Sequence, residues 1–173
     1  MAGSLCLAAL PGPWLAPAGA ADPSPPPELH RWTGKATPSL ALPDAQGKIH
    51  RLTDYRGKTL LINFWATWCE PCREEMPALS RLAAKQGERN FVLLTVNVGD
   101  SEQKAAAFLA EAGLTLPVLF DKDSSLSRSA WKVGLLPASF ILDAGGRILY
   151  TTLGELNWDD PAYAAAISRV MAQ

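Results

Sequence analysis

The sequence predicts an α/β fold: a central mixed β-sheet flanked by helices, with a β-hairpin extension in front of it. Three observations carry this. Apolar runs at 60–65 and 91–98 have the unbroken hydrophobicity of strands buried on both faces. Segments of helical character, at 73–86, 101–112 and 123–131, alternate with strands. Residues 138–142 and 147–152 flank Asp143-Ala144-Gly145-Gly146, a turn with the glycines that antiparallel pairing needs, and a last helix is expected over 159–171.

The chain has 173 residues, enough for one ordinary domain plus a tail. A hydrophobic content of 48% with 19% charged residues fits a soluble globular protein. Lys and Arg are scattered and the net charge is −1, so neither nucleic acid nor an anionic membrane surface is an expected partner.

Residues 1–20 carry no charged side chain, and Ala18-Gly19-Ala20 has the small-residue spacing of a signal-peptidase site, so this segment is expected to be an export signal. It lacks a basic start. Its apolar run, Leu5 to Leu10, is too short to span a bilayer. Cys6 would leave with it, and the large Leu5 makes Cys6 a poor lipid-attachment site. Residues 21–37 hold Pro23, Pro25, Pro26 and Pro27, the composition of an extended, unpacked linker. The domain proper is expected over 38–173.

Ser39 to Leu42 and Lys48 to Leu52 bracket Pro43-Asp44-Ala45-Gln46-Gly47, a hairpin leading into the core. His50 lies in its second arm as a surface strand residue. After a turn at 54–58, the first central strand runs into Trp65-Ala66-Thr67-Trp68-Cys69-Glu70-Pro71-Cys72. The helix beyond it contains Pro77, which removes a backbone bond to Arg73 and predicts a kink. The third helix-strand alternation brings Leu116 to Phe120, and Leu136-Pro137 opens the strand at Ala138.

Two cysteines separated by two residues, at a strand-to-helix junction, are a redox signature rather than a packing pattern. Thiol–disulfide exchange needs a thiolate nucleophile and a second thiol that resolves the mixed disulfide. At a helix N-terminus, unpaired N–H groups and the helix dipole favour negative charge on sulfur. Cys69 is therefore expected to attack, and Cys72, a turn further in and more buried, to resolve. Pro71 fits the first turn, where its nitrogen has no intrahelical partner. At about 100° per residue, Cys72, Met76, Leu79, Leu82 and Ala83 share one face of this helix, and Glu75 falls within that arc while Glu74 points away. An inward carboxylate feels desolvation, which raises its pKa, so Glu75 is expected to exchange a proton with the cysteine pair. A zinc site would need four ligands. Besides this pair the chain offers only Cys6, His30 and His50, all upstream, so no metal or cofactor is expected beyond the redox-active disulfide itself.

With these residues in view, the chain resembles a thioredoxin-fold protein, and more narrowly the TlpA/ResA-like group of exported bacterial thiol–disulfide oxidoreductases. The matching stretches are Asn63 to Pro77, then Val96-Asn97-Val98, then Leu136-Pro137 before Phe140-Ile141-Leu142-Asp143. The resemblance implies a redox-active Cys69–Cys72 disulfide and a cis-proline at Pro137 packed against it. It implies a substrate-binding role for Trp68, Leu136 and Pro137, the Leu136 backbone holding an extended target segment. Glu75 matches an acidic residue that ResA-like members carry, and Asn63 stands where cytosolic thioredoxins have a buried Asp. The implied role is a reductant in the periplasm or another extracytoplasmic space, soluble or N-terminally anchored and monomeric. Its implied targets are disulfide-bearing exported proteins, among them apocytochrome c or copper-site assembly proteins, and its electrons would come from a membrane thiol carrier. The Gly-x-Pro-Glu-Thr signature of the dedicated cytochrome c branch is absent, since this chain reads Leu136-Pro137-Ala138-Ser139.

Two other activities are possible for a cysteine pair on such a fold. A peroxiredoxin-type peroxidase wants Pro and Thr or Ser upstream of its cysteine, where this chain has Asn63, Phe64 and Trp65. A copper(I)-binding chaperone would use the soft thiolates, but such proteins add a downstream His, and none follows His50.

Overall fold

The computed structural model describes residues 25–34, 36–87 and 90–173. The expected export signal at 1–20, with Cys6, lies outside the described residues. Among the described residues eight strands are seen: β1 (His30–Arg31), β2 (Ala41–Pro43), β3 (Ile49–Arg51), β4 (Thr59–Trp65), β5 (Phe91–Val98), β6 (Val118–Asp121), β7 (Ala138–Leu142) and β8 (Ile148–Leu153). The α-helices are α1 (Glu70–Gln86), α2 (Glu102–Glu111) and α3 (Pro161–Met171). Six strands form one sheet in the order β1-β8-β7-β4-β5-β6, and β2 pairs with β3 as the separate hairpin. β4, β5 and β6 run parallel, whereas β7 is antiparallel to both β4 and β8, so the sheet is mixed as expected.

Strand alternation divides the core. Leu60, Ile62 and Phe64 of β4 join a cluster with Leu40 and Leu42 of the hairpin segment, Trp131 and Phe140. On the opposite face Leu61 packs with Leu79 and Leu82 of α1 and with Ile167 and Val170 of α3. Asn63 shares this second face by its odd position, and that choice of face later brings it to α1. A third cluster, around Trp65, Met76, Leu109 and Phe120, closes the end of the sheet where the cysteines lie.

Helix α1 starts because Cys69 caps it and Pro71 sits in its first turn; it stops at Gly87, whose φ of 72° suits glycine. It continues through Pro77 without interruption. The helix expected over 123–131 is shorter, a π-type turn at Leu126–Ala130. Asp121 sets its start by accepting the N–H groups of Leu126 (3.3 Å) and Ser127 (2.7 Å). Helix α3 begins two residues later than expected, since Asp160 caps it through the Ala162 N–H at 2.8 Å.

The linker expectation for 21–37 needs correction. Leu29 is buried in the core, His30 and Arg31 pair with Thr151 and Tyr150 of β8, and the Trp32 N–H donates to Leu149 O at 2.9 Å. The Leu29 N–H donates to Pro26 O at 2.9 Å, so Pro26 and Pro27 enter a turn that seats Leu29 in the core just ahead of the extended pair His30–Arg31. Pro137 directly precedes the first residue of β7, as expected of a strand-opening proline, and is buried there because β7 is an interior strand.

Candidate active site

The cysteine pair follows β4, at the carboxyl end of the parallel strands, where loops of α/β sheets gather their functional groups. Between strand and helix, Ala66, Thr67 and Trp68 make a turn closed by the Cys69 N–H donating to Ala66 O at 3.2 Å. This turn is held from outside. Buried Asp100, just after β5, accepts the Thr67 N–H at 2.7 Å and the Thr67 hydroxyl at 2.8 Å. It also accepts from Asn97 Nδ2 at 3.1 Å and pairs with Lys104 Nζ at 2.9 Å. Burial alone would raise the Asp100 pKa, but the Thr67 N–H, Lys104, Asn97 and the Thr67 hydroxyl together hold it below the ordinary value.

Cys69 and Cys72 form a disulfide with their Cα atoms 5.3 Å apart. Cys69 Sγ accepts the Cys72 N–H at 3.3 Å, so this sulfur occupies the helix cap itself. Cys69 is only 6% exposed, less than a helix-tip position suggests, and Cys72 is fully enclosed. Both belong to the cluster of Trp65, Met76 and Phe120, against which Leu136 also packs. Trp68 stands out at 65% exposure. The Leu136–Pro137 peptide bond is cis, and Pro137 O accepts the Gly154 N–H at 2.8 Å.

Glu75 lies one turn along α1 from Cys72, facing inward, and is 4% exposed. Its Oε1 accepts from Asn63 Nδ2 at 2.7 Å. Its Oε2 accepts the Leu156 N–H at 3.0 Å and Trp158 Nε1–H at 3.1 Å. Asn63 also donates to Ser139 Oγ at 3.0 Å, its direct partner across β4 and β7. Desolvation raises the Glu75 pKa; the three donors oppose it and the nearby Glu155 charge adds to it, leaving the carboxyl at about 7. A group poised there changes protonation near neutral pH, as a proton exchanger must.

The structure thus gathers Cys69, Cys72, Glu75, Trp68, Leu136 and Pro137 into one region. Sequence reasoning missed Leu156, Trp158 and Ser139 as partners of the Glu75–Asn63 pair, and Asp100 as the anchor of the turn. Of these only Trp158 left a trace, as a large aromatic between Asn157 and Asp159 in an otherwise polar stretch. Among the described residues no group of three or more His, Cys, Asp or Glu side chains could hold a metal ion, and no helix is long and apolar enough to cross a membrane.

Comparison with known proteins agrees with this geometry. The AhpC/TSA family profile matches residues 33–151. The thiol-disulfide oxidoreductase ResA of Geobacillus thermodenitrificans is 37% identical over 127 residues, 73% of this chain and 72% of that protein. A Chlorobium tepidum structure assigned as the thiol:disulfide interchange protein DsbE superposes with a TM-score of 0.72 at 30% identity, covering 83% of this chain and 99% of that one. The exposed lipoprotein thioredoxin Etrx1 of Streptococcus pneumoniae gives 0.61 at 28% identity, covering 76% and 98%. The activity is protein thiol–disulfide exchange on a thioredoxin fold. The chain belongs to the AhpC/TSA family, and within it stands with the ResA-like thiol–disulfide oxidoreductases.

Proposed function

We propose that this protein is a reductant of disulfides in exported proteins, with Cys69 as attacking thiolate and Cys72 as resolving thiol. In the reduced enzyme, Cys69 attacks a target disulfide. The target S–S bond breaks, a Cys69–target mixed disulfide forms, and the departing target sulfur takes up a proton. Cys72 then loses its proton and attacks Cys69 Sγ, which releases the second target thiol and closes the Cys69–Cys72 disulfide. The target gains two electrons and two protons, and the pair loses them. Glu75, one turn from Cys72 and balanced near neutrality, is the acceptor of the Cys72 proton. Trp68, Leu136 and cis-Pro137 frame the sulfur and receive the target segment.

The observation that carries this reading is the pairing of a helix-capping sulfur with an inward carboxyl near pH 7, joined to a likeness to ResA. Export is supported by the signal-like segment at 1–20 and by the likeness to an exposed lipoprotein thioredoxin. The family resemblance adds a membrane thiol carrier as the dithiol that resets the enzyme.

The test is trapping. Cys72→Ser leaves the mixed disulfide unresolved, so Cys69 should be recovered joined to exported proteins on non-reducing gels, and Cys69→Ser should recover none. Equal recovery from both variants, or none from Cys72→Ser, would overturn the assignment.

A further inference from the structure

Three of the four large apolar side chains exposed among the described residues neighbour the cysteine pair or the Leu136–Pro137 segment along the chain or across the sheet. Trp68 precedes Cys69. Leu135, 57% exposed, precedes Leu136–Pro137. Leu153, 58% exposed, pairs with Ala138, the residue after Pro137. Exposed apolar groups gathered at one place mark a contact surface.

Its two flanks differ in charge. Trp68, Leu135 and Leu136 line a cavity of about 430 Å³ whose walls include Gly99, Ser124 and Arg128. Arg128 is the only charged residue of that lining, which contains no carboxylate, and its guanidinium makes no ion pair among the described residues. The cleft at Glu75 is the opposite: Glu74, Glu155 and Asp159 line it, and its Arg81 is already held by Asp159 at 3.0 and 2.6 Å.

We propose that the cavity between Trp68 and Arg128 is a subsite for an acidic side chain of the target segment, close in sequence to the target cysteine. Trp68, Leu135 and Leu136 cover its methylene groups, and Arg128 receives the carboxylate. A guanidinium presents parallel donors that match a carboxylate, and a partly apolar wall strengthens the pair over one in open water. This assignment rests on the exchange reading above and gives it a substrate preference.

Peptides whose single cysteine is capped by a chromogenic aromatic thiol test it, since exchange with the reduced enzyme releases colour. Glu, Gln or Lys is placed in turn at each of the three positions on either side of the cysteine. At one position the Glu peptide should react roughly five-fold faster than its Gln counterpart, and the Lys peptide slower still. The preference should shrink at about 0.5 M salt. Arg128→Gln should abolish it and Arg128→Glu should invert it toward Lys. Taking the Glu:Gln ratio within each variant cancels any overall loss of folded enzyme. Equal rates for all three peptides, or an unchanged ratio in both variants, would overturn the subsite while leaving exchange intact. No colour from any peptide would overturn the exchange reading and the subsite together.

Discussion

Glu75 accepts three hydrogen bonds and still titrates near 7, so desolvation outweighs the donors at this residue. The sign of its effect on stability follows. Its folded pKa lies above the ordinary 4.5, so between pH 4.5 and about 7 the native state holds more protons than the unfolded chain. Stability is then full below pH 4.5 and falls as pH rises through 7. The loss on ionisation is on the order of 3 kcal/mol. Glu75→Gln should remove most of this slope: urea midpoints of wild type and variant should converge near pH 4 and separate by pH 8, with the variant higher. Asn63 can serve the new amide, because its Oδ1 is buried without a partner and a turn of its side chain would present that oxygen. The same variant should flatten thiolate formation against pH in the reduced enzyme. Superposable titrations would remove Glu75 from the proton path.

At the scale of elements, the catalytic turn is positioned from β5 rather than from its own strand and helix. Asp100 grips Thr67 at two atoms while Asn97 and Lys104 hold Asp100, so the end of β5 and the start of α2 jointly place Cys69 at the tip of α1. Asp100→Asn weakens the Lys104 pair and replaces one acceptor oxygen by a donor facing other donors. The expected cost is about 1–3 kcal/mol, read as a lower urea midpoint at pH 7. Because the folded Asp100 pKa is depressed, its contribution is present above pH 3.8 and fades as pH falls below it, so the two proteins should approach each other in acid. A difference independent of pH would show that the carboxylate charge is not what anchors the turn.

Across the whole molecule, the residues ahead of the hairpin are part of the fold. Leu29 belongs to the core cluster of α1, α3 and Trp158, the same Trp158 that donates to Glu75. Glu28 accepts from the Tyr163 hydroxyl at 3.1 Å; burial, with the hydrogen bond and charge of Glu28, pushes that phenol up to about 12. Leu29→Ala should therefore cost about 2–5 kcal/mol, seen as a lower denaturant midpoint with an unchanged slope. A loss within error of zero would mean that the segment does not stay seated in solution.

Burial pattern and local chemistry made much of this protein legible before any coordinates. The strands at 60–65 and 91–98, the glycine turn at 143–146 and the inward face of α1 follow from side-chain periodicity, which depends on neighbours only a few residues apart. So does the capping position of Cys69, and so does the inward direction of Glu75. The packing of Leu29 was hidden because prolines signal extended backbone without saying whether a strand lies alongside. The partners Leu156, Trp158 and Ser139 were hidden for a related reason. They lie between 64 and 83 residues from Glu75 along the chain and meet it or its partner Asn63 only once α1 has docked on the sheet. The sequence by itself determined the cysteine pair, the inward-facing carboxyl and the layered architecture, because each is written in short-range spacing. Only the tertiary structure decided how that carboxyl is solvated, what braces the turn before Cys69 and which charge faces each flank of the disulfide, because these depend on groups that folding brings together from distant parts of the chain.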